Sequence, residues 1–324
     1  MKYVYELTIA HLPFRVSANI DIGNLIFNSE PYSLYINYDI SIGLDTNLIN
    51  LKVYEIEIIN MLNKDITVSY KQKKIVVSGD LSSLFDTQHN RQFSLFGNKG
   101  IFNRVILHIL ESNHNSCAFH GCAVKHPETN KTLIGLGFSG SGKSVFVSNA
   151  LKCGWKLVAT ECVIINNELE IFKGNTFDNV SPKAIEFIEN NLHNAKIFYD
   201  KKLIEPIEQK TFISYSKYGI KNNYYTIIPS SHLSIIILNF GNSNMGIHSI
   251  TDMDFLLRML QITASEKIVF PLIFDDEILN TRLNGNPKIR TDIINKLLRH
   301  STENIILGGN YQFFENYLSK SILC

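Results

Sequence analysis

Apolar positions follow two rhythms along this chain, and the change falls near residue 96. Before it, they come as short runs of β-branched and aromatic residues: Tyr3-Val4-Tyr5, Leu34-Tyr35-Ile36 and Ile75-Val76-Val77. Asn, Asp, Gly and Ser separate the runs, which predicts short strands joined by turns. One short helix is expected around Tyr54 to Leu62. Gly97-Asn98 breaks the chain, and then Ile101, Val105, Ile106, Ile109 and Leu110 recur at helical spacing up to Glu111. The pattern predicts a β-rich N-terminal domain over residues 1–96 and a second domain over 97–324.

In the second domain, strands and helices alternate. Thr132 to Leu136 reads as a strand, a glycine-rich turn follows, and Lys143 to Lys152 reads as a helix that Gly154 stops. Lys156 to Ala159 is a second strand. Cys162–Ile165 and Leu169–Phe172 flank Asn166-Asn167, the signature of a hairpin. A helix starts after Pro182 with Ile185, Phe187, Ile188 and Leu192 as its apolar positions. Leu233 to Phe240 is an unbroken apolar run, as in a strand buried on both faces. Thr251 is placed to cap a helix running through Ala264. A helix over Thr291–His300, a strand over Asn304–Leu307 and a helix near Tyr311–Lys320 complete an α/β pattern, α+β overall. No internal repeat is visible.

The strand and helix around the glycine-rich turn give it a chemical meaning. Gly137-Phe138-Ser139-Gly140-Ser141-Gly142-Lys143-Ser144 fits G-x-x-x-x-G-K-S/T, the Walker A phosphate-binding loop (P-loop), in its required context. Glycines let the backbone N–H groups of such a loop approach phosphate oxygens, and the helix N-terminus adds partial positive charge. Gly137, Ser139, Gly140, Ser141 and Gly142 are therefore candidate phosphate contacts. Lys143 supplies a full charge, and Ser144 offers a hydroxyl to Mg2+. No N-K-x-D guanine signature follows the loop; Asn63-Lys64-Asp65 precedes it with the wrong spacing. No L-S-G-G-Q transporter signature is present. The apolar run at 233–238 ends in Asn239 rather than Asp, and the nearest carboxylate after the loop is Glu161.

Composition narrows the partners. The 324 residues carry 31 basic and 30 acidic side chains, a net charge of +1, which argues against a nucleic-acid face. The absence of any apolar run near 18 residues predicts no membrane-spanning helix. The N-terminus alternates like a strand, not a secretory signal. Five cysteines in odd number, with no zinc spacing, read as free thiols in a cytoplasmic protein. Residues 196–226 mix Lys201, Lys202, Lys210, Lys217 and Lys221 with tyrosines. They read as a solvated insertion, with a substrate loop as the other reading.

The order of three segments, CAFHGCAV, LIGLGFSGSGKS and NALKCGWKLVATECVII, resembles the catalytic domain of HPr kinase/phosphorylase and the wider HPr-kinase-like serine kinases. Asn179-Val180-Ser181-Pro182-Lys183 and Ile228-Pro229-Ser230 are similar to further segments of that group. The resemblance covers most of the chain. It implies a core shared with phosphoenolpyruvate carboxykinase, behind a β-rich N-terminal region.

The resemblance also implies roles. The loop holds ATP. The family's two aspartates fall on Thr160 and Glu161, so Glu161 is left as the carboxylate for Mg2+ or for the accepting hydroxyl. His120 matches a histidine near the phosphates, although a packed core histidine is an equal reading. Lys183 is placed to clamp a phosphate, or is a solvated lysine in a first helical turn. Asp178 stands where the family has an arginine. The implied activity is ATP- and Mg2+-dependent transfer of the γ-phosphate to a Ser or Thr hydroxyl of a peptide or small protein, with peptide natural-product tailoring as one setting. A small-molecule acceptor and a non-catalytic nucleotide-binding regulator are the alternatives. Phosphorylase activity is not expected, because E-x-R-G-x-G is missing. Homo-oligomers are implied by the resemblance alone.

Overall fold

The structure is a computed structural model. It describes residues 2–10, 12–23, 40–42, 53–71, 73–85, 95–97, 100–180, 182–192, 196–198, 211–219, 225–227, 232–241, 245–269, 272–274, 277–279, 283 and 285–321. The expected strand at 34–36 and most of the lysine- and tyrosine-rich stretch lie outside these residues. The architecture is mixed α/β in two compact units: Met1–Leu110 with Lys267–Gly285, and Glu111–Glu266 with Asn286–Cys324.

The first unit is built on β1 (Tyr3–Ile9), β2 (Leu12–Ala18), β3 (Ile40–Ile42), β4 (Tyr54–Asn60), β5 (Thr67–Lys71) and β6 (Lys74–Gly79). They form one sheet in the order β3-β1-β2-β4-β6-β5. The segment expected as a helix, Tyr54–Leu62, is instead strand β4. Tyr54, Ile56 and Ile58 alternate with Glu55 and Glu57, and the apolar set is buried between parallel neighbours β2 and β6. Period two overrode the local helix preference of Glu55 and Glu57.

Helix α1 (Ile101–Asn113) leads to the strands and helices of the second unit. In chain order these are β7 (Ser116–Lys125), β8 (Thr132–Leu136), α2 (Lys143–Lys152), β9 (Lys156–Ala159), β10 (Cys162–Asn166), β11 (Glu170–Phe172) and β12 (Phe177–Val180). Then come α3 (Pro182–Asn191), β13 (Lys196–Phe198), β14 (Thr211–Ser214), β15 (Tyr225–Ile227), β16 (Leu233–Phe240), β17 (Gly246–Ser249) and α4 (Met253–Val269). The short strands β18 (Leu272–Phe274) and β19 (Glu277–Leu279), which belong to the first unit, pair with each other. Helix α5 (Pro287–His300), β20 (Glu303–Gly309) and α6 (Tyr311–Lys320) end the chain's described part.

The main sheet runs β15-β11-β10-β7-β8-β16-β20-β17, with β9 also on β7. Strands β8, β16 and β20 are mutually parallel, and β7 is antiparallel to β8, β9 and β10. The unbroken apolar run of β16 has its reason here: its residues alternate between two cores. Ile236 and Leu238 join a cluster with Phe146 of α2, Ile188 of α3 and Phe314 of α6. Ile235 and Ile237 join another with Leu256 and Leu260 of α4 and Ile293 of α5. Helices therefore cover both faces, and a strand so placed needs apolar side chains at every position.

Helix starts follow the capping rules with one correction. Asp252, not Thr251, caps α4, accepting from the N–H groups of Asp254 and Phe255, both at 3.0 Å. Asn286 caps α5 ahead of Pro287. Arg290 in the first turn of α5 donates to both oxygens of the buried Glu111 at 2.9 Å, which also accepts from the Asn286 N–H at 2.7 Å. A carboxylate taken so fully from water requires this set of partners. No helix among the described residues is long and apolar enough to cross a membrane.

The stretch read as a solvated insertion is partly core. Strand β14 pairs with β12 and β13, and Ile213 and Tyr215 are fully buried. Of the cysteines, Cys117, Cys122 and Cys162 are buried free thiols and Cys153 is half-buried.

Candidate functional site

The glycine-rich loop joins the carboxyl end of β8 to α2. Its geometry is left-handed at Gly140 (φ 83°) and at Gly142 (φ 95°), the residue that caps α2. A Cβ on Gly142 would overlap the Cβ of Phe240, so this position disfavours other residues on two counts, backbone and space. Phe240 also ties the loop down, its N–H donating to the Ser141 carbonyl at 3.0 Å. The Ser141 N–H donates to the Phe138 carbonyl at 3.1 Å, closing a turn inside the loop.

Lys143 folds back over this turn. Its Nζ donates to the carbonyls of Gly137 at 2.7 Å and Phe138 at 3.0 Å. The ammonium is thus held at the loop, directly ahead of the N-terminus of α2, and two positive features coincide there. The hydroxyl oxygen of Ser141 is buried against Gly137 with no hydrogen-bond partner among the described residues. Phe138, Ser139 and Gly140 are exposed, and Ser144 takes the second position of α2.

Strand β7 brings the next group. His120 pairs in register with Cys162, and its Nε2 lies 3.6 Å from a carboxylate oxygen of Glu161. The His120 side chain is 8% exposed and that of Glu161 24%. Glu161 owes its place to a break in pairing: β9 pairs with β7 as far as Ala159, and β10 resumes at Cys162. Thr160 and Glu161 occupy the gap, with both sides anchored to the same strand. Beside His120, Gly121 lies opposite Leu136; a Cβ there would meet the Gly135 carbonyl oxygen at 2.7 Å. The His-Gly pair thus has separate duties, one side chain facing Glu161 and one absent side chain admitting β8.

Thr160 is not a vacant version of an aspartate. It is 3% exposed, and its hydroxyl lies 2.6 Å from the Phe177 carbonyl and 3.0 Å from that of Asn175, with its one hydrogen to donate. Its N–H donates to Asn175 as well, at 3.1 Å. A carboxylate at this position would face two carbonyl oxygens with nothing to donate. Thr160→Asp is therefore expected to lower unfolding free energy by about 3 kcal/mol or more without raising turnover. Thr160→Ser keeps the hydroxyl and loses one methyl, about 1 kcal/mol. Urea unfolding of the two variants checks this; an Asp variant as stable as wild type would disprove the assignment.

Two residues that the sequence left outside the site belong near it. Asp178, on β12, is 5% exposed, and Tyr215 is fully buried with no hydrogen-bond partner for its hydroxyl among the described residues. Burial and the neighbouring Asp178 and Cys122 hold the Tyr215 phenol well above its usual range. Burial pushes the Cys122 thiol up to about 12, Lys143 works against this, and Asp178 and Glu161 add to it. Cys122 therefore stays a neutral thiol at ordinary pH and is no nucleophile. The charges that reach it, Lys143, Asp178 and Glu161, share one neighbourhood. Asp178 is a buried acid there, where the resemblance led to an arginine.

Lys183 stands in the first turn of α3, a helix that packs on α2, and its side chain lies outside the described residues. No group of three or more His, Cys, Asp or Glu among the described residues is arranged to hold a metal ion. Mg2+ bound with a nucleotide does not need one, because phosphate oxygens and water supply most of its ligands and one or two protein oxygens complete the set. Ser144 stands in the first turn of α2, and Glu161 lies beside His120. No protein-family model matches the chain, and no curated protein matches it in sequence.

Proposed function

We propose that the chain is an ATP- and Mg2+-dependent kinase of the HPr-kinase-like kind, transferring the γ-phosphate to the hydroxyl of a Ser or Thr in a peptide or small protein. The observation that carries the reading is the joining of two features by one strand pair. A glycine-rich loop with left-handed Gly140 and Gly142 and an inturned Lys143 ends β8; on adjoining β7, His120 faces the carboxylate of Glu161.

In this reading the loop amides and Lys143 bind the phosphates. Ser144 and Glu161 hold Mg2+, which neutralises charge on the phosphates when bound. Glu161 takes the hydroxyl proton of the acceptor, and His120 orients it. Phosphoryl transfer depends mainly on positioning and charge neutralisation, so one carboxylate in place of two is compatible with turnover.

The test is intact-mass measurement of Ser- and Thr-containing peptides after incubation with the protein, ATP and Mg2+. One added phosphate is expected, and none with Lys143→Ala. The structural use of the Thr160 hydroxyl favours a second reading, a nucleotide-binding regulator, because it leaves a single acid beside the loop. ATP binding without phosphate on any peptide or small molecule would select that reading.

A further inference from the structure

Two side chains of α1 hold two successive backbone N–H groups at the entry to α5. His108 and Glu111 are three positions apart, so they are neighbours on the surface of the helix. The Nδ1 of His108 accepts from the Gly285 N–H at 3.2 Å, and Glu111 accepts from the Asn286 N–H at 2.7 Å. Gly285 is left-handed (φ 68°) and turns the chain just before Asn286 caps α5. The chain passes from the first unit to the second at two places, Leu110–Glu111 and Gly285–Asn286. Each bond lies within one unit: His108 to Gly285 in the first, Glu111 to Asn286 in the second. The two acceptors differ in kind. Glu111 is a carboxylate held on both oxygens by Arg290. The imidazole accepts at Nδ1 only while that nitrogen carries no proton, so its hydrogen is on Nε2. Protonation puts a hydrogen on Nδ1, and two donors then face each other across 3.2 Å.

We propose that His108 is a proton-operated latch: neutral, it holds the Gly285 N–H; protonated, it releases it, and the segment leading into α5 opens locally while the fold stays closed. The surroundings make the neutral form the resting one. His108 is half-buried, and burial holds its imidazole below the ordinary 6.5. From β5, Tyr70 presents its ring edge-on at 5.2 Å, a neutral neighbour that gives a proton no counter-charge. The charged groups of α1 one turn to either side are Arg104, a buried cation, and Glu111. Glu111 is already committed to Arg290 of α5. The sign follows from this order. The folded value lies below the unfolded one, so the unfolded chain takes up the proton first. The latch's contribution is therefore complete above 6.5 and is lost as pH falls from there through the folded value. Nothing in this depends on what the glycine-rich loop binds.

The experiment is NMR of the full chain from about pH 8 to about pH 5. Nitrogen-labelled histidine reports the imidazole, and amide hydrogen exchange reports Gly285. His108 is expected as the Nε2–H tautomer at the upper end, with a titration midpoint below 6.5. Protection of the Gly285 amide, corrected for the intrinsic pH dependence of exchange, falls about tenfold over the range. Protection of Asn286, held by a carboxylate, changes by less than about twofold and is the internal control. His108→Asn sets an amide oxygen near the place of Nδ1; it accepts without titrating and flattens the fall. His108→Phe keeps a ring against Tyr70 and has no acceptor, so Gly285 is poorly protected throughout. An Nδ1–H tautomer at the upper end, a midpoint at or above 6.5, or equal protection of Gly285 across the range overturns the proposal. So does a fall of undiminished size in His108→Asn. Should that variant not fold, the wild-type tautomer, midpoint and Gly285 amide decide between the outcomes by themselves.

Discussion

Replacing Lys143 by Ala is expected to lower kcat/KM for phosphoryl transfer roughly a thousandfold, a loss of about 4 kcal/mol in transition-state stabilisation, with the fold intact. The size of the effect follows from where the charge is held. Its Nζ lies within 3.0 Å of two loop carbonyls, ahead of the first turn of α2. In phosphoryl transfer the negative charge on the phosphoryl oxygens must be met by fixed positive groups, and no other lysine or arginine lies in the loop segment Gly137–Ser144. The structural cost is small. Both hydrogen bonds are within the loop, the side chain is partly exposed, and each such bond contributes only about 1 kcal/mol net. Steady-state kinetics with a thermal melt separates the two effects. Wild-type activity in the folded variant would end the kinase reading.

Glu161→Gln is expected to lower kcat by roughly 10²- to 10⁴-fold while the ATP dissociation constant moves by less than about threefold. The amide keeps the size and hydrogen-bonding reach of the side chain but can neither accept a proton at the relevant stage nor neutralise a cation. In the proposed reading the phosphates are held mainly by the loop amides and Lys143, and Glu161 acts on the transfer step. His120→Asn, which removes the imidazole 3.6 Å away, should give a smaller fall in the same direction. Rapid-quench measurement of a single turnover reads the chemical step directly. Equal single-turnover rates in Glu161→Gln and wild type would remove Glu161 from the role given to it.

Much of the second unit could be read from the chain. The loop was legible because strand, glycines and helix adjoin in sequence, so the local signals reinforce one another. Strand β16 was legible because burial on both faces leaves an unbroken apolar run. The Asn166-Asn167 hairpin followed from turn chemistry, and the structure forms it with Ile165 opposite Ile171. What failed depended on distant partners. Tyr54–Asn60 contains good helix formers, and only strands 40 residues before and 19 after it make its alternation decisive. Asp178 and Tyr215 are far apart in sequence from Cys122, and nothing local in any of the three says that they meet. Thr160 was seen as a missing acid; its use as a tie to Asn175 and Phe177 depends on a loop that returns 15 residues later.

Adjacent residues of β7 locate the two halves of the site: His120 is set against Cys162, next to Glu161, and Gly121 against Leu136, the last residue before the loop. The strand works as a gauge block between glycine-rich loop and acid. Their separation is set by two neighbouring positions on one strand that is buried up to its last residue, not by the lengths of the connections around it. Those connections can therefore drift in length over evolutionary time without detuning the site. A single residue gained or lost within β7 would instead turn each following side chain to the opposite face, putting the imidazole and the loop out of phase in one step.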